Sequence, residues 1–153
     1  MVLLRGTASA LRYCDYGETS VTGKITKKMV ITILEQQRIR NDWYIDFDGQ
    51  PFQDFLEGII GEMERLGVHV TVVRNRDAVI SIGSYADLLN VVRISSPQDG
   101  HSNQCVGHII GKSRGLDIME DIGAAVRRVA FAPETIAPSS EFRKVCHNCG
   151  CGC

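Results

Sequence analysis

Four of the six cysteines lie close together, at Cys146, Cys149, Cys151 and Cys153. Thiolates are soft ligands that bind Zn²⁺, Cu(I) and iron–sulfur clusters. The Cys146-x-x-Cys149 spacing lets two sulfurs reach one ion from a single turn, and the glycines between the later cysteines let a short chain wrap around it. Four sulfurs match the ligand set of one tetrahedral zinc or one four-iron cluster. We therefore predict that these cysteines bind zinc or an iron–sulfur cluster.

Histidines and a further cysteine could extend this site or form a looser second one. His147 lies inside the cysteine cluster (residues 146–153) and could replace a ligand or hydrogen-bond to one. His101, Cys105 and His108 follow each other at spacings of four and three, and both residue types bind zinc and copper. This trio lacks a fourth donor, so the alternative is two loop histidines and a buried cysteine. If the cysteine cluster folds back onto the chain, the trio is where it would dock.

A basic turn precedes a predicted helix. Lys112, Ser113 and Arg114 lie between Gly111 and Gly115. Flexible glycines, two cations and the following helix N-terminus together favour an anion. We predict anion binding at Lys112, Ser113 and Arg114, with an ordinary solvated basic turn as the alternative.

Catalytic patterns are not evident in the sequence. No serine occupies a nucleophile-elbow pattern, and no pair of carboxylates is marked out by its spacing. His69 falls within a predicted strand, without a neighbour that would make it a general base. Whether the chain is an enzyme stays open at this stage, and an accessory or binding protein is favoured.

Composition narrows the class of protein. The 153 residues, 44% hydrophobic and 23% charged, are typical of one globular domain. Lys and Arg number 17 against 18 Asp and Glu, so a basic footprint for nucleic acid is not expected. No apolar run reaches the roughly 20 residues of a membrane helix, and residues 1–5 lack a signal-peptide layout. We expect a cytoplasmic protein with no membrane partner, where clustered cysteines favour metal or redox chemistry.

Hydrophobic periodicity predicts the elements that must position these residues. The predicted helices are 51–67, with Gly58 and Gly61 packed closely against a sheet, a short helix capped by Ser84 and Asp87, and 116–128. The predicted strands are 29–34, 43–47, 68–73, 78–82, 105–110 and 129–131. Residues 75–77 are expected to turn a hairpin, and residues 95–104 to form a loop.

Helices interleaved among strands predict an α+β or α/β fold, with a mixed sheet packed by two or three helices. We assign residues 1–132 to the body, 133–145 to a proline-containing linker and 146–153 to the thiolate segment. The favoured function is an accessory or assembly-type protein that docks on a larger protein partner or forms a homo-oligomer. The alternatives are a redox or sulfur carrier working through disulfides or persulfides, and a structural subunit with an interface zinc site.

A Cys-x-Cys ending also resembles the prenylation signal of Rab-type small GTPases. The segment from Gly107 to Ser113 is one residue short of the glycine spacing of a phosphate-binding loop, so the rest of the chain does not support that family. Lipidation and a ribosomally made peptide precursor, whose cysteines are the modified product, are further alternatives.

Overall fold

The structure is a computed structural model that describes residues 27–39 and 43–137. Within these ranges it contains four strands and four α-helices, together with short 3-10 turns at Pro97–Asp99 and Pro133–Thr135. In chain order the elements are β1 (Lys27–Arg38), α1 (Gln50–Arg65), β2 (Val68–Ile82), α2 (Tyr85–Val91), β3 (Val92–Ser96), β4 (His101–Cys105), α3 (Val106–Ile110) and α4 (Ile118–Phe131). The predicted α+β class with a mixed sheet is confirmed, with four helices rather than two or three.

The strands form one sheet in the order β2-β1-β3-β4. β1 and β2 are parallel, so α1 crosses over between them, whereas β3 and β4 add in antiparallel fashion. Along β1, Met29, Ile31 and Ile33 are almost completely buried, while Val30 and Thr32 between them are more exposed. Because alternate residues point to opposite faces, this pattern shows a sheet with one face covered by helices.

α1 and α4 supply that cover. Their apolar stripes are buried in the same core as β1: Phe52, Leu56, Ile59 and Met63 from α1, and Ile118, Ile122, Ala125, Val126 and Val129 from α4. The predicted helices at 51–67 and 116–128 are confirmed to within a few residues at each end. None of the helices in the described ranges is long and apolar enough to span a membrane.

The predicted hairpin across residues 68–82 is wrong. β2 runs through the whole stretch as a single strand, parallel to β1. The polar residues at 75–77 form a bulge instead of a reversal: Leu34 pairs with Asn75, but Glu35 pairs with Val79. The Asn75 side-chain oxygen accepts the backbone N–H groups of Asp77 and Ala78, and this local turn absorbs the extra residues.

The predicted strand at 43–47 is wrong as well. The chain from Trp43 to Gly49 is an irregular segment that leads into α1. Two of its aromatic side chains attach this segment to the core. Phe47 is buried, and Trp43 packs edge-on against Tyr85 with 5.2 Å between the ring centroids. Gln36 and Gln53 side chains donate to backbone carbonyls of this segment, which replaces the hydrogen bonds that a strand partner would supply.

Residues 95–104, expected to be a loop, extend the sheet. β3 continues to Ser96, the 3-10 turn follows, and Gly100, with φ +75°, reverses the chain into β4. Glycine suits this position because the left-handed region is strained for other residues.

Two further strand predictions fail because helices take their place. At 105–110 the strand ends with Cys105, whose sulfur accepts the His108 N–H at 3.3 Å and begins α3. At 129–131 the last turn of α4 continues. Short apolar runs are compatible with either structure, and here packing on the sheet decides between them.

The capping prediction at the start of α2 is confirmed. The Ser84 side chain accepts the Asp87 backbone N–H, and the Asp87 carboxylate accepts the N–H groups of Gly83 and Ser84. By contrast, Gly58 on α1 does not pack closely against the sheet. It is exposed, and a Cβ built there would meet nothing within 4 Å.

Candidate functional site

The predicted metal ligands Cys146, Cys149, Cys151 and Cys153, and His147 beside them, lie outside the described residues. The structure does place the chain that leads to them. Residues 133–137, the start of the predicted linker, pack on the body, and Ile136 is only 4% exposed. Ala137 therefore lies at the edge of the domain formed by β4 and α3.

Three side chains of that edge hydrogen-bond to the backbone of residues 133–137. His108 Nε2 lies 2.8 Å from the Ala137 carbonyl oxygen, and Gln104 Nε2 donates to the same oxygen at 3.3 Å. His101 Nε2 lies 2.9 Å from the Pro133 carbonyl oxygen. A carbonyl oxygen only accepts, so both histidine Nε2 atoms carry the proton in these contacts.

These contacts leave buried acceptors on β4. With Nε2 protonated, Nδ1 of a neutral His101 is an acceptor, and it is buried without a hydrogen-bond partner among the described residues. The same holds for the Gln104 side-chain oxygen. Both side chains are more than nine-tenths buried.

Within residues 27–39 and 43–137, no three His, Cys, Asp or Glu side chains come together as a metal-binding group. The structure therefore does not bring His101, Cys105 and His108 together as a site of their own. The histidine rings bind backbone carbonyls, and the buried Cys105 sulfur caps α3. Their role as docking ligands for the cysteine cluster stays a prediction.

The predicted anion-binding turn is a well-anchored connection between α3 and α4. Gly111, at φ +76°, closes α3 through its N–H to Gly107, and Asp117 caps α4 by accepting the N–H groups of its first turn. Ser113 Oγ accepts the Leu116 N–H at 3.0 Å, which holds Leu116 at a left-handed φ of 52°. The turn therefore has one defined shape and presents Lys112 and Arg114 at the surface.

A cavity of about 280 Å³ opens beside this turn. Its lining residues are Ile110, Lys112, Arg114, Glu120, Asp121, Ala124 and Arg128. Two of the three predicted anion-binding residues thus reach a common cavity. Ser113 does not line it, and its hydroxyl oxygen instead accepts the Leu116 N–H.

Sequence reasoning missed the groups beneath this cavity. The Tyr85 hydroxyl donates to the buried carboxylate of Asp121. Burial raises the pKa of Tyr85 strongly, and the hydrogen bond to Asp121 and its charge raise it further. One signal was available, because Asp121 falls on the apolar stripe of α4 beside Ile118 and Ile122, where a carboxylate needs a partner.

Arg128 is the second missed group. Its guanidinium donates to the carbonyl oxygens of Ile109 at 2.6 Å and Thr135 at 2.9 Å, and to the Thr135 hydroxyl at 2.9 Å. All three acceptors are neutral, and Arg128 forms no ion pair with the described residues. The side chain is thus held at the cavity by neutral acceptors.

A smaller cavity of about 130 Å³ lies at the bulge between β1 and β2, beneath the segment before α1. Here Arg74 already pairs with Asp48 at 2.9 Å and donates to the Phe47 carbonyl at 2.8 Å. The buried Gln36 side-chain oxygen lacks a partner within the described part of the chain.

No protein-family model, curated protein or solved structure matches this chain. Its function is therefore argued from its own residues.

Proposed function

We propose that this chain is a cytoplasmic accessory or assembly-type protein. It binds a metal ion or iron–sulfur cluster through Cys146, Cys149, Cys151 and Cys153 and docks on a larger protein. The observation that carries the proposal is the set of four cysteines within eight residues, separated by glycines and a Cys-x-x-Cys step. Such a segment supplies a complete tetrahedral thiolate set.

The position of Ala137 supports the proposal that the cysteine cluster is presented to a partner protein. Ala137 is fixed to the β4–α3 edge by His108 and Gln104, and Cys146 follows about nine residues later. An extended chain of that length reaches at most about 30 Å. This limit allows Cys146 to contact either the body or a partner bound beside that edge.

The partner is expected to protect the site. An eight-residue segment wrapped around an ion supplies few groups beyond its own ligands, and exposed thiolates oxidise readily. A larger protein or a second copy of this chain would exclude water and oxygen from the cluster. Native mass measurement and anaerobic crosslinking from the cysteine cluster test this, and a monomer whose cysteines stay equally open to alkylation contradicts it.

The metal site is tested by anaerobic purification of the full chain, followed by metal and sulfide analysis and a visible spectrum. Single Cys→Ser changes at positions 146, 149, 151 and 153 should each remove most of the metal, because a thiolate set binds as a unit. Cys14→Ser is the control outside the cluster. Cys105→Ser tests the looser set of His101, Cys105 and His108, and serine preserves the cap of α3.

The metal content and the spectrum distinguish the possible sites. Stoichiometric zinc in a colourless protein supports a zinc site, and iron with sulfide and broad visible absorption supports a cluster. Metal retained in all four variants but lost in Cys105→Ser would place the site in the body and overturn the assignment. Metal-free protein with a titratable disulfide or persulfide would favour the redox or sulfur carrier instead.

A further inference from the structure

We propose that the cavity beside the turn of residues 111–116 binds a protonated phosphate oxyanion, either hydrogen phosphate or a small hydroxylated phosphomonoester. The proposal rests on residues of the body alone and is independent of the metal chemistry proposed above. The cavity, at about 280 Å³, is slightly below the range of pockets for drug-sized ligands, which suits a ligand of this size.

An excess of positive charge at the cavity points to an anion. Lys112, Arg114 and Arg128 line the cavity, and none of them forms an ion pair within the part of the chain that the structure describes. Glu120 and Asp121 line the same cavity, so three cations face two carboxylates and the excess charge is positive. A bound anion balances this excess and accepts charge-assisted hydrogen bonds from the cations.

The Arg128 guanidinium and the backbone of the turn are held in place before any ligand arrives. Arg128 is fixed by its three hydrogen bonds to Ile109 and Thr135. The backbone that carries Lys112 and Arg114 is anchored by the end of α3 at Gly111 and by the cap of α4 at Asp117. A site assembled in advance loses less conformational entropy when it binds.

Two carboxylates in the same cavity define which oxyanion fits. Glu120 and Asp121 also line it, so a fully deprotonated oxyanion would face negative charge on one side. A hydrogen phosphate, or a phosphate ester with a hydroxyl, can instead donate a hydrogen bond to a carboxylate while its charged oxygens face the cations. Sulfate has no proton to donate at neutral pH. The arrangement therefore favours phosphate over sulfate.

The test is titration of the full chain with inorganic phosphate, sulfate and glycerol phosphate at constant ionic strength, followed by calorimetry. Constant ionic strength is required because salt screens exposed charges. We expect phosphate or glycerol phosphate to bind at least about tenfold more tightly than sulfate. Lys112→Gln and Arg114→Gln should each weaken binding by about tenfold, which corresponds to one charge-assisted hydrogen bond.

Controls separate this site from general attraction between charges. Lys28→Gln removes an exposed cation of β1 away from the cavity and should leave binding unchanged. Glu120→Gln, an exposed position, should narrow the preference for phosphate over sulfate. If glycerol phosphate binds and inorganic phosphate does not, the ligand is an ester. Equal binding of phosphate and sulfate, equal loss in Lys28→Gln and Arg114→Gln, or no binding of either phosphate would overturn the proposal.

Discussion

Lys27 is the residue that ties the start of the sheet to the rest of the domain. Its ammonium lies 2.5 Å from Asp99 Oδ2 and donates to the carbonyl oxygens of Val129 and Ala130 near the C-terminal end of α4. A cation there interacts favourably with the helix dipole. Burial alone would raise the pKa of Asp99, but hydrogen bonds from Lys27 and Ser96 and the Lys27 charge hold it below its usual value.

We predict that the ion pair between Lys27 and Asp99 makes a pH-dependent contribution to the stability of the fold. Asp99 has a lower pKa in the folded state than in the unfolded state, where it is near 3.9. Its contribution is therefore complete above the unfolded-state pKa and is lost as the pH falls through the folded-state pKa. We expect Asp99→Asn to cost about 1–3 kcal/mol at neutral pH, since Lys27 keeps a largely buried charge.

The measurement is urea unfolding of both proteins from neutral to acidic pH. The difference between wild type and Asp99→Asn should shrink progressively once the pH falls below about 4. Asp54→Asn, at an exposed position on α1, serves as the control. A difference that stays constant down to the lowest pH would show that the ion pair is not its source.

Gly58 on α1 and Gly123 on α4 differ in the space that surrounds them. A Cβ at Gly58 would meet nothing within 4 Å, whereas a Cβ at Gly123 would lie 3.0 Å from Arg127 Nη1 and 3.8 Å from the Phe55 ring. Arg127 forms a two-point hydrogen bond with Glu62 of α1, with both distances 2.9 Å. An alanine at Gly123 would press on this contact between the helices.

We therefore expect Gly58→Ala to stabilise the protein by about 0.5–1 kcal/mol, because alanine has the higher helix propensity and fits without contact. Gly123→Ala should give a smaller gain or a loss, since Arg127 must shift. Urea unfolding of the two variants provides the comparison. Destabilisation by Gly58→Ala would mean that α1 packs there against a part of the chain beyond the described residues.

At the scale of the whole molecule, the body extends past the boundary predicted at residue 132. Ile136 is buried, Arg128 binds Thr135, and β4 and α3 hold the carbonyls of Pro133 and Ala137. Burying one isoleucine side chain contributes about 1.5–3 kcal/mol, and each hydrogen bond adds about 0.5–1.5 kcal/mol.

Truncation distinguishes the two boundaries. A chain ending at Ala137 should keep nearly the thermal stability of the full chain, whereas one ending at Ala132 should lose more than about 2 kcal/mol. Ile136→Ala in the full chain should also cost about 2–4 kcal/mol, through the cavity it leaves. Thermal and urea unfolding measure all three. Equal stability of both truncated chains would contradict the packing of this segment.

Features that depend on neighbouring residues could be predicted from the sequence. The helices around Leu56 and Ile122 show the 3.6-residue period of an apolar stripe, and the Ser84–Asp87 cap depends on atoms three residues apart. The grouping of Cys146 and Cys149 as ligands is equally local, because the spacing alone decides whether two sulfurs can reach one ion. Binding of a metal by these cysteines stays a prediction, because both residues lie outside the described part of the chain.

Features that depend on distant partners were decided by the tertiary structure. Strands at 68–73 and 78–82 have the same alternation whether they form a hairpin or one long strand, and only pairing with β1, some 40 residues earlier, selects the second. The cavity beside the turn likewise combines Lys112 with Arg128 and a carboxylate that Tyr85 holds from another helix. A local sequence pattern cannot predict this cavity, because only the packing of the helices on the sheet brings these side chains together.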